Sequence, residues 1–263
     1  MLARRTVIKS IGGAGAGLGV SPLAAVLADP KRAKAAADGL QTVESTLTDG
    51  SKVRAALAMP AQTPAPAVML IHEWWGLNDQ IKAVAAEFAA QGHIALAIDL
   101  MGGEVATTPD GAKALTGKVG ANPGKALETC SLWIDWLRGH DGSTGKIGTC
   151  GWCFGGGWSL NASLAEPVDA TVIYYGRVDK SAAELASLKG PVLGHFATQD
   201  KFINTAMVDG FVTQMAEAGK SLTVYRYDAD HAFANPTSAR YDQEDAALSW
   251  ERTTSFLSQS LKA

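Results

Sequence analysis

The segment Gly148-Thr-Cys-Gly-Trp-Cys-Phe-Gly-Gly-Gly157 allows two interpretations that imply different chemistry. Starting at Cys150 it is a C-x-x-C pair, the spacing of redox dithiols. Centred on Cys153 it is G-x-C-x-G, a sharp strand-to-helix turn that presents one sulfur as a nucleophile. An apolar strand precedes this motif and a helical, Gly- and Ala-containing stretch follows it, as the second interpretation requires. The segment therefore predicts an α/β fold with a nucleophile at the carboxyl end of a strand.

The two cysteines of this segment have different expected surroundings. Cys150 lies within the apolar strand and should be buried, whereas a redox dithiol needs its first sulfur exposed at the start of a helix. Cys153 would stand at a helix N-terminus, where the partial positive charge favours a thiolate. The N–H of Phe154 would then point at a developing oxyanion. A thiol–disulfide protein that uses Cys150 and Cys153, or a buried cysteine in a tight turn, is the alternative.

The hydrophobic pattern predicts how the rest of the chain folds. An antiparallel strand pair is expected about the turn Asp49-Gly50, followed by apolar strands that alternate with helices. This order is typical of a mostly parallel sheet with helices on both faces and active groups at the carboxyl ends of the strands. The strands are predicted at 67–72, 94–99, 147–152, 170–175, 192–197 and 222–227, and the helices at 80–91, 125–138, 156–164, 205–218 and from 243. Residues 101–123 are predicted to be irregular, as the rim or lid of a pocket.

Composition limits the kind of partner. The chain has 263 residues, 47% hydrophobic, with a net charge of −3. This size fits one large domain, and interspersed charges of both signs provide no basic face for nucleic acid. The predicted partner is a small molecule.

The N-terminus resembles a targeting segment. Arg4-Arg5 precedes a weakly apolar, Gly- and Ala-rich run over 11–27 that is too short for a stable membrane span. We expect a twin-arginine-type signal peptide over residues 1–28, recognised by the export machinery, and a periplasmic or secreted protein with no stable membrane insertion after cleavage. A disordered basic tail is the alternative. Residues 29–40 are predicted to form a linker that could adopt a helix, and residues 41–263 the folded α/β domain.

A thiol nucleophile needs a base and a group that orients the base. His231 follows the strand at 222–227, and Asp200 follows the preceding strand. The chain order is therefore nucleophile, acid, histidine, as in α/β-hydrolases. Asp228 and Asp230 are alternative orienting groups, although both are close to His231 in sequence.

No pattern indicates a metal or a cofactor. His72-Glu73 begins like the zinc motif H-E-x-x-H, but position 76 is glycine. Glu73 lies beside Trp74 and Trp75 on a loop after a buried strand, where partial desolvation would suit a base.

Six segments together resemble the dienelactone hydrolase (carboxymethylenebutenolidase) family of α/β-hydrolases. They are Ile71-His-Glu-Trp-Trp-Gly76, Asp99-Leu100, Gly151-Trp-Cys-Phe-Gly-Gly156, Tyr174-Tyr-Gly176, Gln199-Asp-Lys-Phe202 and His231-Ala-Phe-Ala234. The resemblance covers nearly everything after residue 28. It implies a triad and an oxyanion hole made by backbone N–H groups. It also implies a glutamate that holds the resting thiol and takes its proton when substrate displaces it. The triad would be Cys153, Asp200 and His231, the amides those of Trp74 and Phe154, and the glutamate Glu73.

The resemblance implies a hydrolase that opens lactones or cleaves small esters through a thioester at Cys153. Family members that degrade dienelactone use two arginines near the pocket. The corresponding positions here fall in the segment 101–104 and at Asn235, and neither is arginine. With a pocket lined by aromatic residues such as Trp75 and Phe233, we expect a preference for uncharged substrates. Arg177, Lys201 or Arg240 could supply a cation from another direction. A catalytically silent binding protein on the same fold is a further alternative.

Overall fold

The computed structural model describes residues 29–262, so the predicted signal peptide lies outside the described residues. Eight strands form one sheet in the order β1-β2-β4-β3-β5-β6-β7-β8. The strands are β1 (Gln41–Thr46), β2 (Lys52–Ala58), β3 (Ala65–Ile71), β4 (Ile94–Ile98), β5 (Ser143–Trp152), β6 (Ala170–Tyr174), β7 (Val192–Ala197) and β8 (Leu222–Tyr227). The pairs β1–β2 and β2–β4 are antiparallel and all others are parallel, which confirms the predicted fold class.

Eight helices accompany these strands in the described part of the chain. They are α1 (Pro30–Asp38), α2 (Asp79–Ala90), α3 (Pro109–Ala121), α4 (Pro123–Gly139), α5 (Phe154–Ala165), α6 (Ala182–Leu185), α7 (Thr205–Glu217) and α8 (Gln243–Ser260). No helix within residues 29–262 has both the length and the apolar character needed to cross a bilayer.

The central strands are apolar on both sides because helices cover both faces of the sheet. Alternate residues of β3 point to opposite faces. Val68 and Leu70 pack with Phe88 of α2, whereas Met69 and Ile71 pack with Trp133 of α4. The carboxyl ends of β3, β5, β7 and β8 meet at one edge of the sheet, where the site lies.

One segment differs from the sequence-based expectation, and a second adopts the helix that the expectation left open. Residues 101–123 are not irregular throughout, because α3 occupies most of them. Thr108 caps this helix, and Leu115 and Val119 are buried in the core. The expected linker forms α1, and Ala33 on this helix is buried in the same cluster as α2. In α3 the glycines at 111, 117 and 120 weakened the amphipathic pattern from which a helix is predicted.

Candidate active site

Cys153 lies on a tight turn between β5 and α5. Its backbone has φ 55° and ψ −116°, a conformation that residues other than glycine rarely adopt. A Cβ at Gly151 would lie 2.0 Å from the carbonyl oxygen of Gly155, and one at Gly155 would lie 2.1 Å from that of Ile71. Only glycine fits at either position. The two glycines therefore permit a strained turn that holds the sulfur above the sheet edge.

The sulfur of Cys153 contacts an imidazole that is itself held by a carboxylate. The Nε2 atom of His231 lies 3.1 Å from the Sγ of Cys153, and its Nδ1 lies 2.6 Å from Oδ2 of Asp200. His231 and Asp200 are buried, whereas Cys153 is half-buried. His231 is 78 positions from Cys153 and 31 from Asp200 in the sequence, yet the three side chains form one hydrogen-bonded row.

The electrostatics of this row favour a charged imidazole. Burial lowers the pKa of His231, but hydrogen bonds to Asp200 and Cys153 outweigh it and raise the pKa to about 10. Burial opposes ionisation of Asp200. Its pKa is nevertheless lowered by the hydrogen bond from His231 and by the N–H groups of Ile203 and Phe202, which donate to Oδ1. The hydrogen bonds of this row therefore favour the protonated form of the His231 ring.

The other two aspartates have different partners. Asp228 accepts hydrogen bonds from the side chains of Thr198 and Gln199. Asp230 accepts from the backbone N–H of His231 at 2.6 Å, which cannot orient the ring. Asp200 is the carboxylate at the imidazole.

Glu73 is a buried carboxylate that joins three loops. It is 4% exposed. Its Oε2 accepts from Nδ2 of Asn235 at 2.7 Å, and its Oε1 accepts from the hydroxyl of Tyr175 at 3.2 Å. Burial raises the pKa of Glu73. The sulfur of Cys153, which the family resemblance assigns to this glutamate at rest, is hydrogen-bonded to His231.

A model of the dienelactone hydrolase family matches residues 53–261 of the chain. The chain belongs to this family. The carboxymethylenebutenolidase of Pseudomonas putida is 29% identical over 235 residues, which span 80% of this chain and 92% of that protein. A protein of Saccharolobus solfataricus that is provisionally named carboxymethylenebutenolidase is 30% identical over 246 residues. The match spans 80% of this chain and 95% of that protein.

A similar fold is seen in a solved structure. A dienelactone hydrolase-like promiscuous phosphotriesterase from metagenomic libraries has a TM-score of 0.77 and 21% identity. The match covers 85% of this chain and 99% of that one. As a member of the dienelactone hydrolase family, the chain is a hydrolase that acts on esters or lactones.

The environment of each cysteine separates this hydrolase from a redox protein. Cys130, Cys150 and Cys153 are all unpaired. Cys150 is fully buried in β5, and burial raises the pKa of its thiol well above the usual value. Burial also raises the pKa of Cys130 to about 12. Of these three cysteines only Cys153 is not fully buried, so the geometry disfavours a dithiol.

The two expected oxyanion donors lie at the start of α5 and on the loop after β3. Phe154 is the first residue of α5, so its N–H has no partner within the helix. Trp74 lies on the loop after β3, and its ring packs edge-on against Trp75 at 4.9 Å. Both tryptophans are half-buried.

Two residues expected in the substrate pocket have other surroundings. Phe233 is fully buried, with its ring 5.4 Å from that of Tyr175 and 4.7 Å from that of Tyr227. The left-handed backbone of Ala232, at φ 66°, places Phe233 in the core beyond His231. Asn235 is 2% exposed and hydrogen-bonds Glu73 and Thr237.

Sequence reasoning missed two residues beside the triad. Phe202 is 67% exposed, and its ring lies edge-on to that of His231 at 5.7 Å. Its only sequence signal is its place in the Gln199-Asp-Lys-Phe202 segment. The hydroxyl of Tyr175 reaches Glu73 because Tyr175 adopts φ 36° after β6. Within residues 29–262 no group of three or more His, Cys, Asp or Glu side chains is arranged to hold a metal ion.

Proposed function

We propose that this hydrolase opens lactones or cleaves small esters with Cys153 as its nucleophile, through a thioester intermediate. One observation carries the proposal: the row of Cys153 Sγ, His231 and Asp200, with separations of 3.1 and 2.6 Å. A nucleophile, a base within reach and a group that orients the base are the requirements for covalent acyl transfer.

The steps follow from the charges in this row. The thiolate of Cys153 attacks the carbonyl carbon, and the N–H groups of Trp74 and Phe154 stabilise the oxyanion. The intermediate collapses to a thioester and expels an alkoxide, which takes the proton of the His231 imidazolium. Neutral His231 then removes a proton from water as the water attacks the thioester. Collapse releases the carboxylic acid and the thiolate, while Asp200 keeps the imidazole in the productive tautomer.

We assign Glu73 a supporting role as a second base. Burial raises the pKa of Glu73, which makes its carboxylate a better proton acceptor than an exposed one. It accepts from Asn235 and Tyr175. In a molecule whose Cys153 is still a thiol when substrate enters, it takes that single proton in place of His231 and returns it to the leaving alkoxide. A Glu73→Gln enzyme with full activity would remove this residue from the mechanism.

The nucleophile is tested with Cys153→Ala and Cys153→Ser. We expect Cys153→Ala to lose hydrolysis of an aryl ester by at least about 10³-fold. Cys153→Ser should keep a low residual activity. Mass spectrometry of the wild type with an activated ester should show an acyl adduct on Cys153. Cys150→Ala is the matched control and should leave turnover near the wild-type rate, whereas a dithiol protein would lose function with either cysteine. Hydrolysis by Cys153→Ala at the wild-type rate would refute the proposal, and an adduct without turnover would indicate a binding protein.

We further propose that uncharged substrates are preferred. Asn235 is occupied by Glu73, and the guanidinium of Arg177 is paired with Asp179 at 2.7 Å. A substrate carboxylate at this site would be buried without a partner, which costs roughly 2 kcal/mol or more, about thirtyfold in kcat/KM. Trp74 and Trp75 suit a neutral ring.

A matched pair of lactones tests this preference, one with a carboxylate arm and one with the corresponding carboxamide. We expect the carboxamide to have the higher kcat/KM by about thirtyfold or more. Arg240 is exposed, and its charge lowers the pKa of Glu73, so it is the cation to test for a displaced anion site. A preference for the carboxylate that disappears in Arg240→Gln would overturn the neutral-substrate proposal.

We propose that the enzyme is exported. Arg4-Arg5 and the apolar run after it support this, and they lie outside the described residues. Mass analysis of exported protein should give an N-terminus near Asp29, and an intact Met1 in the mature protein would contradict the proposal.

A further inference from the structure

His72 is a fully buried histidine that the proposed mechanism does not use. It directly follows β3, and both ring nitrogens are hydrogen-bonded. The backbone N–H of Leu100 donates to Nε2 at 3.2 Å, and Nδ1 lies 2.6 Å from the carbonyl oxygen of Glu73. Because Nε2 accepts, the ring proton resides on Nδ1, which donates to this carbonyl. Burial lowers the pKa of His72, which favours the neutral ring that this pattern requires.

The carbonyl that His72 binds belongs to the same peptide unit as the N–H of Trp74. The peptide bond between Glu73 and Trp74 is trans and planar. In such a unit the C=O and N–H bonds point in opposite directions, so the direction of one fixes that of the other. This carbonyl also accepts from the N–H of Gly76 at 3.3 Å, but the bond from Nδ1 is the shorter one, at 2.6 Å. The hydrogen bond from Nδ1 therefore helps to set where the Trp74 N–H points.

The His72 ring also packs against the residue that carries the second oxyanion donor. The rings of His72 and Phe154 stack with centroids 6.0 Å apart and planes 15° apart. The backbone of His72 also lies close to the start of α5, since a Cβ at Gly155 would lie 2.5 Å from the carbonyl oxygen of His72. One ring thus binds the peptide that carries the first expected donor and stacks with the side chain of the residue that carries the second.

We propose that His72 is the positioning residue of the oxyanion hole, fixing the Glu73–Trp74 peptide so that the Trp74 N–H faces the reacting carbonyl. This rests on the proposed acyl-transfer function. His72 touches neither the substrate nor the sulfur, and acts through the peptide that it holds. The H-E pair that resembles the start of a zinc motif has this role instead.

Three substitutions separate this role from simple packing. His72→Asn places an amide N–H near the position of Nδ1 and keeps the bond to Glu73, but loses the acceptor for Leu100. His72→Gln places its amide near Nε2 and keeps an acceptor for Leu100, but loses the bond to Glu73. His72→Leu loses both. Thermal unfolding of each variant reports the loss of packing.

Two rates measured on each variant give the decisive comparison. Hydrolysis of an aryl ester develops an oxyanion, whereas alkylation of Cys153 by iodoacetamide displaces iodide at a tetrahedral carbon and develops none. Loss of a single oxyanion donor costs about 10²–10³ in kcat. For a donor that is misdirected, we expect kcat to fall about tenfold or more in His72→Gln and His72→Leu, with KM within about twofold. We expect alkylation to stay at the wild-type rate in all three, and His72→Asn to keep most of the wild-type kcat.

Several results would overturn the proposal. These are a wild-type kcat in His72→Leu, a loss in His72→Asn as large as that in His72→Gln, or alkylation that slows by the same factor as hydrolysis. The last result would indicate general damage to the site. Ester turnover and acylation of Cys153 in the wild type test the proposed function, and the ratios between variants test His72, so failure of one is distinguishable from failure of the other.

Discussion

His231 and His195 are two buried histidines near neighbouring strand ends, and their surroundings give them opposite properties. Both are hydrogen-bonded through both ring nitrogens. His231 lies between Asp200 and Cys153. His195 lies between the hydroxyls of Tyr227, at 2.7 Å, and Thr253, at 3.0 Å.

The partners, rather than burial, distinguish these two sites. Burial opposes the charged form of both rings, but at His231 the hydrogen bonds to Asp200 and Cys153 raise the pKa to about 10. At His195, burial and the nearby charge of Arg252 lower the pKa well below its usual value. Hydroxyls satisfy the His195 ring without charge and tie β7 to α8. A carboxylate and a thiol make the His231 ring a proton carrier.

Asp200→Asn should have the largest effect among the tests of this comparison, because it gives His231 a neutral partner like those of His195. The amide can bind the ring in the wrong tautomer, so we expect kcat to fall by roughly 10²–10⁴-fold. Steady-state hydrolysis of an aryl ester measures the loss.

Asp228→Asn is the matched control for this substitution, because Asp228 follows the neighbouring strand and bonds only Thr198 and Gln199. We expect it to stay within about threefold of the wild-type rate. Equal losses in the two variants would contradict the assignment of Asp200 as the orienting carboxylate.

The two histidines should also affect stability with opposite dependence on pH. Because the pKa of His231 rises from 6.5 to about 10 on folding, its stabilising contribution is complete below about pH 6.5 and is lost as pH rises toward 10. Because folding lowers the pKa of His195 from 6.5, its contribution is present above that value and is lost as pH falls.

Urea unfolding measures both dependences. We expect the difference in unfolding free energy between the wild type and His231→Gln to shrink from about pH 6 to about pH 10. The difference for His195→Gln should grow from about pH 5 to about pH 7. Differences that stay constant over these ranges would contradict the charge states assigned to the two rings.

His195→Gln should have the smallest effect on turnover. Replacing the ring leaves the hydroxyl of Tyr227 or Thr253 poorly satisfied, which costs about 1–3 kcal/mol of stability. His195 contacts neither the sulfur nor His231, so we expect kcat within about threefold of the wild type. A loss of kcat comparable with that of Asp200→Asn would place His195 in the catalytic machinery and remove the contrast between the two sites.

The sequence predicted the parts of this protein that depend on local chemistry. Each parallel strand is a short apolar run, and most predicted element bounds lie within a few residues of those in the structure. The glycines around Cys153 predicted the turn because the steric need for a missing Cβ arises within a few residues of chain. The nucleophile, the acid and the histidine each follow a predicted strand, and a parallel sheet brings the carboxyl ends of its strands to one edge.

Tertiary structure decided what depends on distance across the fold. Three aspartates were candidates for His231, and only the packing of β7 beside β8 brings Asp200 to its Nδ1. Asn235 and Glu73 are 162 residues apart, so their hydrogen bond leaves no local signal. Phe233 was expected in the pocket because its side chain is aromatic, but the left-handed turn at Ala232 buries it. Local sequence sets the conformation of a few residues, whereas hydrogen bonds and burial between distant residues are selected only when the whole core packs.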